Sequence, residues 1–129
     1  MTQTTAPQSI SAPKSGENAW LWLIKILTGP LLVVLLGIHL VVNHFLASTG
    51  LLTYADVVAY YRNPIIPVME IAFLITVVTH SLIGLRGILL DLKPSRRALK
   101  AIDLIFVTVG ILAIAYGIWL VLTIAARGA

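Results

Sequence analysis

Three apolar stretches, each long enough to cross a bilayer, limit what this chain of 129 residues can fold into. A membrane-spanning helix needs about 20 mostly apolar residues, and the stretches cover about 19–47, 64–91 and 100–126. Hydrophobic residues make up 59% of the sequence, which exceeds the share in soluble globular proteins. The sequence therefore predicts an all-α integral membrane protein whose three transmembrane helices form one domain, 19–127.

The segments outside these stretches are polar. Residues 1–18 are rich in Ser, Thr, Pro and Gln and lack an apolar run, so we predict a disordered tail rather than a signal peptide. Thr53 and Asp56 form a helix N-cap pattern with an acid in the first turn, which predicts a short interfacial helix after the first span. Residues 92–99 form a basic turn between the second and third spans.

The basic residues predict the orientation of the spans. Seven of the nine lie on the side of the tail and the second turn, and two lie on the other: Lys14, Lys25, Arg86, Lys93, Arg96, Arg97 and Lys100 against Arg62 and Arg127. The positive-inside rule then makes the N-terminus cytoplasmic and the C-terminus external. Topology accounts for the charge of +4, so we expect no nucleic-acid partner. A prokaryotic cytoplasmic membrane fits an N-terminus without an Arg-rich amphipathic helix.

The second span carries a histidine, His80, at its middle. An ionisable side chain inside a membrane is costly and marks a candidate functional site. On a helix, Gly84 and Gly87 lie on the face of His80 and border it with a groove. Imidazole is an axial ligand of haem iron, so a haem edge packed over this groove is one interpretation. The other is that the glycines admit a neighbouring helix and His80 hydrogen-bonds across the bundle.

The first span carries a polar stripe of Lys25, Thr28, His39 and Asn43 on one helix face. His44 points about 140° away from His39, which favours an interfacial or propionate-contacting role for it. The chain has no cysteine, so histidine is its only strong ligand for a metal cofactor, and any haem is bound non-covalently.

Depth separates the two histidines, because His39 is expected nearer the outer face than His80. We therefore expect either that the two histidines bind different haems or that only one of them binds a haem. In the third span, Asp103, Gly110 and Gly117 recur at intervals of seven residues, which predicts a stripe for helix packing.

Two segments resemble the cytochrome b membrane anchors of succinate dehydrogenase and fumarate reductase (complex II). They are residues 36–45, LGIHLVVNHF, and the second-span pattern Asn63-Pro64, Glu70-Ile71, His80 and Gly84-Leu85. The spacing from His80 to Asp91 is also similar to the spacing between haem ligand and quinone-site aspartate in single-haem members. The resemblance covers about residues 20–93.

The resemblance implies that this chain is a membrane anchor subunit of a succinate:quinone oxidoreductase and forms half of a haem b helical bundle. The implied partners are a flavoprotein subunit, an iron–sulfur subunit and a second membrane anchor subunit. His39 and His80 match axial ligands of haem iron, each completed by the second anchor, and we favour two haem b groups over one. Gly84, on the face of His80, is then a position where the haem packs. Arg86 is a candidate for propionate contact, and the alternative is that Arg86 and Asp91 form a snorkelling pair.

A quinone site, for menaquinone or ubiquinone, is implied as well. Lys25, Thr28, Arg86 and Asp91 supply donors and an acid near the cytoplasmic side. Leu92 replaces the tyrosine of single-haem anchors, and Lys25 stands where an arginine is common. With no flavin fingerprint or cysteine cluster, the chain cannot oxidise succinate alone. The alternatives are a cytochrome b anchor of another quinone-linked dehydrogenase and a cofactor-free membrane scaffold.

Overall fold

The computed structural model describes residues 18–45 and 53–128, and within them every regular element is a helix. This confirms the all-α prediction. The elements are α1 (Ala19–Leu40), a π-helical segment (Val41–Phe45), α2 (Tyr54–Tyr60), α3 (Ile65–Asp91) and α4 (Arg96–Gly128). The predicted tail up to residue 17 and the last two residues of the first predicted span lie outside the described residues.

Three helical stretches are long and apolar enough to cross a membrane, as an integral membrane protein requires. They are Ala19–Phe45, Ile65–Asp91 and Arg96–Arg127. Most of their large apolar side chains are exposed, including Leu27, Val33 and Leu112. In an integral membrane protein, such a surface is covered by lipid or by the helices of another subunit.

Side-chain caps determine where two helices begin. The Asn18 side-chain oxygen accepts a hydrogen bond from the Trp20 backbone N–H at the start of α1, at 3.0 Å. At the start of α2, Thr53 and Asp56 form a capping box. The predicted N-cap with an acid in the first turn is thus confirmed. Hydrogen bonds from the hydroxyl and then the backbone N–H of Thr53 hold the pKa of Asp56 below its ordinary value of 3.8.

The fourth helix begins at Arg96, before the predicted third span, which begins at Lys100. The Ser95 hydroxyl accepts a hydrogen bond from the Ala98 backbone N–H at 3.2 Å and so supports the first turn. Lys93 takes a positive φ of 51° in the short connection. Hydropathy marks where a helix enters the bilayer, whereas this helix extends further into the exposed basic residues.

The bundle is centred on α3, which packs antiparallel to both α1 and α4. On α4, a Cβ at Gly110 would lie 2.9 Å from Leu82 Cδ1, and one at Gly117 would clash with the side chain of Leu74. These two glycines let α3 approach α4 closely, so the predicted packing stripe is confirmed.

The two ends of the bundle differ in what they carry. Arg127 at the end of α4 donates a hydrogen bond to the Tyr54 hydroxyl at 2.8 Å, which joins α4 to α2. We call this the α2 end. The opposite end carries the connection 92–95 between α3 and α4, and we call it the turn end.

Candidate functional site

His80 lies between α3 and α1, towards the turn end. Its Nδ1 atom is 3.0 Å from the Thr28 hydroxyl oxygen. The ring packs beside the α1 backbone, since a Cβ on Gly29 would be 3.5 Å from His80 Cε1. The polar stripe predicted on the first span therefore faces α3 at this level, and the second-span histidine faces it in return.

His39 lies between α1 and α3, towards the α2 end. Its Nδ1 atom is 3.1 and 3.2 Å from the two carboxylate oxygens of Glu70. The Asn43 amide donates to the His39 backbone carbonyl at 2.8 Å and lies 3.5 Å from a Glu70 oxygen. A carboxylate only accepts hydrogen bonds, so Nδ1 is the donor in the His39–Glu70 contact. The Asn43 amide nitrogen also lies 3.2 Å from Nδ1, but it donates to the His39 carbonyl and to Glu70.

Two further features fix the His39 ring. The Phe73 ring stacks on it, with centroids 4.8 Å apart and an interplanar angle of 24°. The π-helical segment begins two residues after His39 and contains Asn43, and such segments are often found at functional sites. His44 lies in the same segment and is exposed, as expected for a residue facing away from the bundle.

A tyrosine borders this cluster on the side of α2. The Tyr60 hydroxyl is buried and has no hydrogen-bond partner among the described residues. Burial raises the pKa of Tyr60 to about 12, and the negative charge of Glu70 adds to the effect. The pKa of Tyr61 is raised for the same two reasons. The α2 end thus groups His39, Asn43 and two tyrosines around the Glu70 carboxylate.

The two histidines share one arrangement at two different levels. In each, Nδ1 contacts an oxygen of the facing helix, and in the described part of the chain neither ring makes a second hydrogen bond through Nε2. Ten or eleven residues separate the levels along each helix, which corresponds to about 15 Å at 1.5 Å per residue. This separation is too large for both rings to bind one metal ion. No group of three His, Cys, Asp or Glu side chains that could hold a metal ion occurs within 18–45 and 53–128.

The two glycines predicted to border His80 have different surroundings. Gly84 has open space where a side chain would lie, with no heavy atom of the described chain within 4 Å of a Cβ position. Gly87 is buried, and a Cβ there would lie 3.7 Å from the Lys25 ammonium nitrogen. The groove is therefore open at Gly84 and covered by Lys25 at Gly87.

The remaining predicted site residues lie towards the turn end. Arg86 pairs with Asp103 of α4, with Nε to Oδ1 at 2.6 Å and Nη2 to Oδ2 at 3.3 Å. The pair lines a mostly apolar groove of about 360 Å³ between α3 and α4. Asp91 is the exposed last residue of α3. The proposed quinone-site residues are thus divided, with Lys25 and Thr28 against the α1-facing side of α3 and Arg86 bonded to α4.

Sequence reasoning missed two acidic partners, Glu70 of His39 and Asp103 of Arg86. Both were visible as acids inside apolar spans. In the α3–α4 hairpin, Arg86 precedes the connection by about as many residues as Asp103 follows it. Antiparallel register across so short a connection could therefore have paired them. The register of α1 against α3 is harder to predict from the sequence, because a longer segment joins those helices.

Comparisons with known proteins agree on one family. Residues 4–124 match the model of the succinate dehydrogenase/fumarate reductase transmembrane subunit family. A curated protein of Archaeoglobus fulgidus, the succinate dehydrogenase hydrophobic membrane anchor subunit, is 32% identical over 115 residues, which cover 89% of this chain and 97% of that protein. No solved structure matches the chain.

Proposed function

Because this chain belongs to the succinate dehydrogenase/fumarate reductase transmembrane subunit family, as a membrane anchor subunit, we propose that it binds haem b and helps to form a quinone site. The enzyme would be a succinate:quinone oxidoreductase. The predicted resemblance to this family is confirmed. The haem and quinone roles are the part that we propose.

One observation carries the haem proposal. His39 and His80, at separate levels, each have Nδ1 against an oxygen on the facing helix. Histidines that bind metals characteristically bond their other ring nitrogen to a carboxylate or another polar group, which orients the ring and raises its basicity. His39 and His80 would therefore hold the iron of two haems through Nε2.

The residues predicted to support the haems would have separate tasks. Glu70 and Phe73 hold the His39 ring in place through hydrogen bonding and stacking. Gly84 leaves room beside the helix on which His80 lies. Arg86 supplies a cation for a propionate, with Asp103 holding its guanidinium. When bound, haem b supplies a one-electron redox centre within the bilayer.

Each haem site would be completed by a residue from outside the described part of this chain. A second membrane anchor subunit is the natural source, because each of the two levels contributes one inward histidine here. With the turn end in the cytoplasm, as the positive-inside rule predicts, the flavoprotein and iron–sulfur subunits dock there. The membrane is then the cytoplasmic membrane of a prokaryote.

The quinone site is proposed at the turn end. Lys25 carries donors for a quinone carbonyl. Asp91, exposed at the end of α3, is suited to pass protons from water to a quinone as it is reduced. Asp91→Asn is expected to lower quinone turnover while leaving the haem spectrum unchanged. Steady-state quinone reduction and a reduced-minus-oxidised spectrum check this, and unchanged turnover would remove Asp91 from the site.

The haem and enzyme proposals are tested together on the complex that copurifies with this chain. Haem quantitation is expected to give two haem b per complex, and succinate is expected to reduce an added quinone analogue. One haem per complex would contradict the two-site arrangement. A haem-free complex that still reduces quinone would identify a cofactor-free anchor, and inactivity with succinate but activity with another donor would indicate a different dehydrogenase.

A further inference from the structure

The contact between Thr28 and His80 determines where the proton lies on the His80 ring. We propose that Thr28 is a positioning residue whose hydroxyl oxygen accepts the Nδ1 proton of His80 and so leaves the lone pair on Nε2. This rests on the proposed haem role of His80. It also reassigns Thr28 from the predicted quinone site to the support of a haem ligand.

The Thr28 hydroxyl has a single proton to donate. Its oxygen lies 2.7 Å from the Ile24 backbone carbonyl oxygen, one turn earlier on α1. Two oxygens approach to this distance when a proton lies between them, and 2.7 Å is typical of O–H···O hydrogen bonds. A carbonyl oxygen has no proton to give, so the hydroxyl is the donor. This is the usual back-bonding of threonine within a helix.

The hydroxyl therefore faces His80 with a lone pair. Its oxygen is 3.0 Å from His80 Nδ1, a typical N–H···O distance. The only proton available for this contact is one on Nδ1. In a neutral imidazole, a proton on Nδ1 leaves Nε2 as the unprotonated nitrogen, and that is the nitrogen able to bind iron.

The surroundings hold this arrangement in place. The Ile24 carbonyl belongs to the α1 backbone, so the hydroxyl rotor is set by the helix and not by a mobile side chain. The α1 backbone at Gly29 packs against the His80 ring, because a Cβ built on Gly29 would lie 3.5 Å from His80 Cε1. One turn of α1 thus determines both the tautomer and the position of the His80 ring.

The hydrogen bond from Thr28 to Ile24 also weakens the case for Thr28 as a quinone donor. A quinone carbonyl only accepts hydrogen bonds, and the Thr28 proton is already committed to Ile24. Lys25, three residues earlier on α1, carries donors of its own and is not affected by this argument.

The test compares Thr28→Val, which keeps the shape but loses the hydroxyl, with Thr28→Ser, which keeps the hydroxyl. Haem content is measured first in the wild-type complex, followed by a redox titration of each variant. The haem wave that belongs to His80 is identified as the one missing in His80→Leu. A ligand that loses the acceptor of its N–H becomes less electron-donating, so the valine variant should favour reduced iron.

We expect the reduced-to-oxidised ratio of this haem, at a fixed potential, to rise about threefold in Thr28→Val and to stay at the wild-type value in Thr28→Ser. Haem affinity should fall by about tenfold or more in Thr28→Val, as for other partners of metal-binding histidines. If the valine variant does not assemble, Thr28→Ala removes the same hydroxyl without branched bulk, and the same shift is expected.

Each other outcome has a distinct meaning. A wild-type complex without haem overturns the proposed function and this inference with it. A wild type with its haems, together with valine and alanine variants of unshifted potential, overturns only the role of Thr28. Slower quinone turnover with an unshifted potential would return Thr28 to the quinone site.

Discussion

The two ends of this bundle support a histidine by different chemistry. At the α2 end, His39 Nδ1 faces the carboxylate of Glu70, and Phe73 stacks on the ring. At the turn end, His80 Nδ1 faces a neutral hydroxyl, and the ring rests against the α1 backbone. A charged acceptor makes an imidazole more electron-rich than a neutral one does. If both histidines bind haem as proposed, one helix pair tunes the two rings separately while Nδ1 stays engaged in each.

The largest expected effect comes from removing either proposed haem ligand. His39→Leu and His80→Leu should each abolish one haem and leave the other, because the sites lie at separate levels. Haem quantitation and difference spectra on the purified complexes check this. His44→Leu is the matched control, since His44 is exposed beside the His39 site, and it should retain both haems. Loss of both haems in either ligand variant, with the complex still assembled, would break the comparison.

The next effect concerns the ion pair between Arg86 and Asp103 at the turn end. Asp103→Leu leaves the guanidinium of Arg86, whose side chain is 14% exposed, without its partner. We expect the complex to lose about 1–3 kcal/mol of stability, below the cost of breaking a fully buried pair because Asp103 is partly exposed. Thermal denaturation in detergent measures this.

Two matched variants sharpen that result. Arg86→Leu combined with Asp103→Leu should recover most of the lost stability, because no unpaired charge remains. Thr108→Leu, at an exposed position of the same helix, should have little effect. If Asp103→Leu were as stable as the wild type, the pair would not support the α3–α4 contact.

A smaller effect is expected from neutralising the carboxylate at the α2 end. Glu70→Gln keeps the shape and an acceptor for His39 but removes the charge. If oxidised iron loses about 1 kcal/mol of stabilisation, the reduction potential of a one-electron couple rises by about 40 mV. Redox titration should show this shift in the haem lost by His39→Leu and none in the other. Equal shifts in both waves would mean that the ends are not tuned independently.

The smallest effect belongs to the cap of α2. The folded pKa of Asp56 is depressed, so its contribution to stability is present above the ordinary value of 3.8 and is lost as the pH falls through the folded pKa. Asp56→Asn should therefore melt slightly below the wild type at neutral pH, and the two should converge in acid. Melting curves of both proteins at neutral and acidic pH test this pH dependence. A melting-temperature difference that grows in acid would contradict the expected effect of Asp56.

Much of the fold follows from local pattern. Apolar length predicts the spans, the Thr53 and Asp56 pair predicts the start of α2, and the seven-residue glycine spacing predicts the α3–α4 contact. The π-helical segment and the early start of α4 were not predicted. Both depend on backbone hydrogen bonding that hydropathy does not report.

The site was predictable by residue type but not by pairing. Depth and helix face place His39 and His80 towards the bundle at two levels. Which oxygen meets each ring depends on the register and rotation of α1 against α3, and neither is encoded within a single span. For that reason the Thr28–His80 contact was not predicted, and Glu70 entered the prediction only as part of a family pattern.

The most direct test of the two-site account is a redox titration of the wild-type complex beside Glu70→Gln and Thr28→Val, followed through the haem absorbance. The account predicts two one-electron waves in the wild type, with Glu70→Gln shifting only the wave lost in His39→Leu and Thr28→Val shifting only the wave lost in His80→Leu. A single wave, or two waves that move together in both variants, would contradict it.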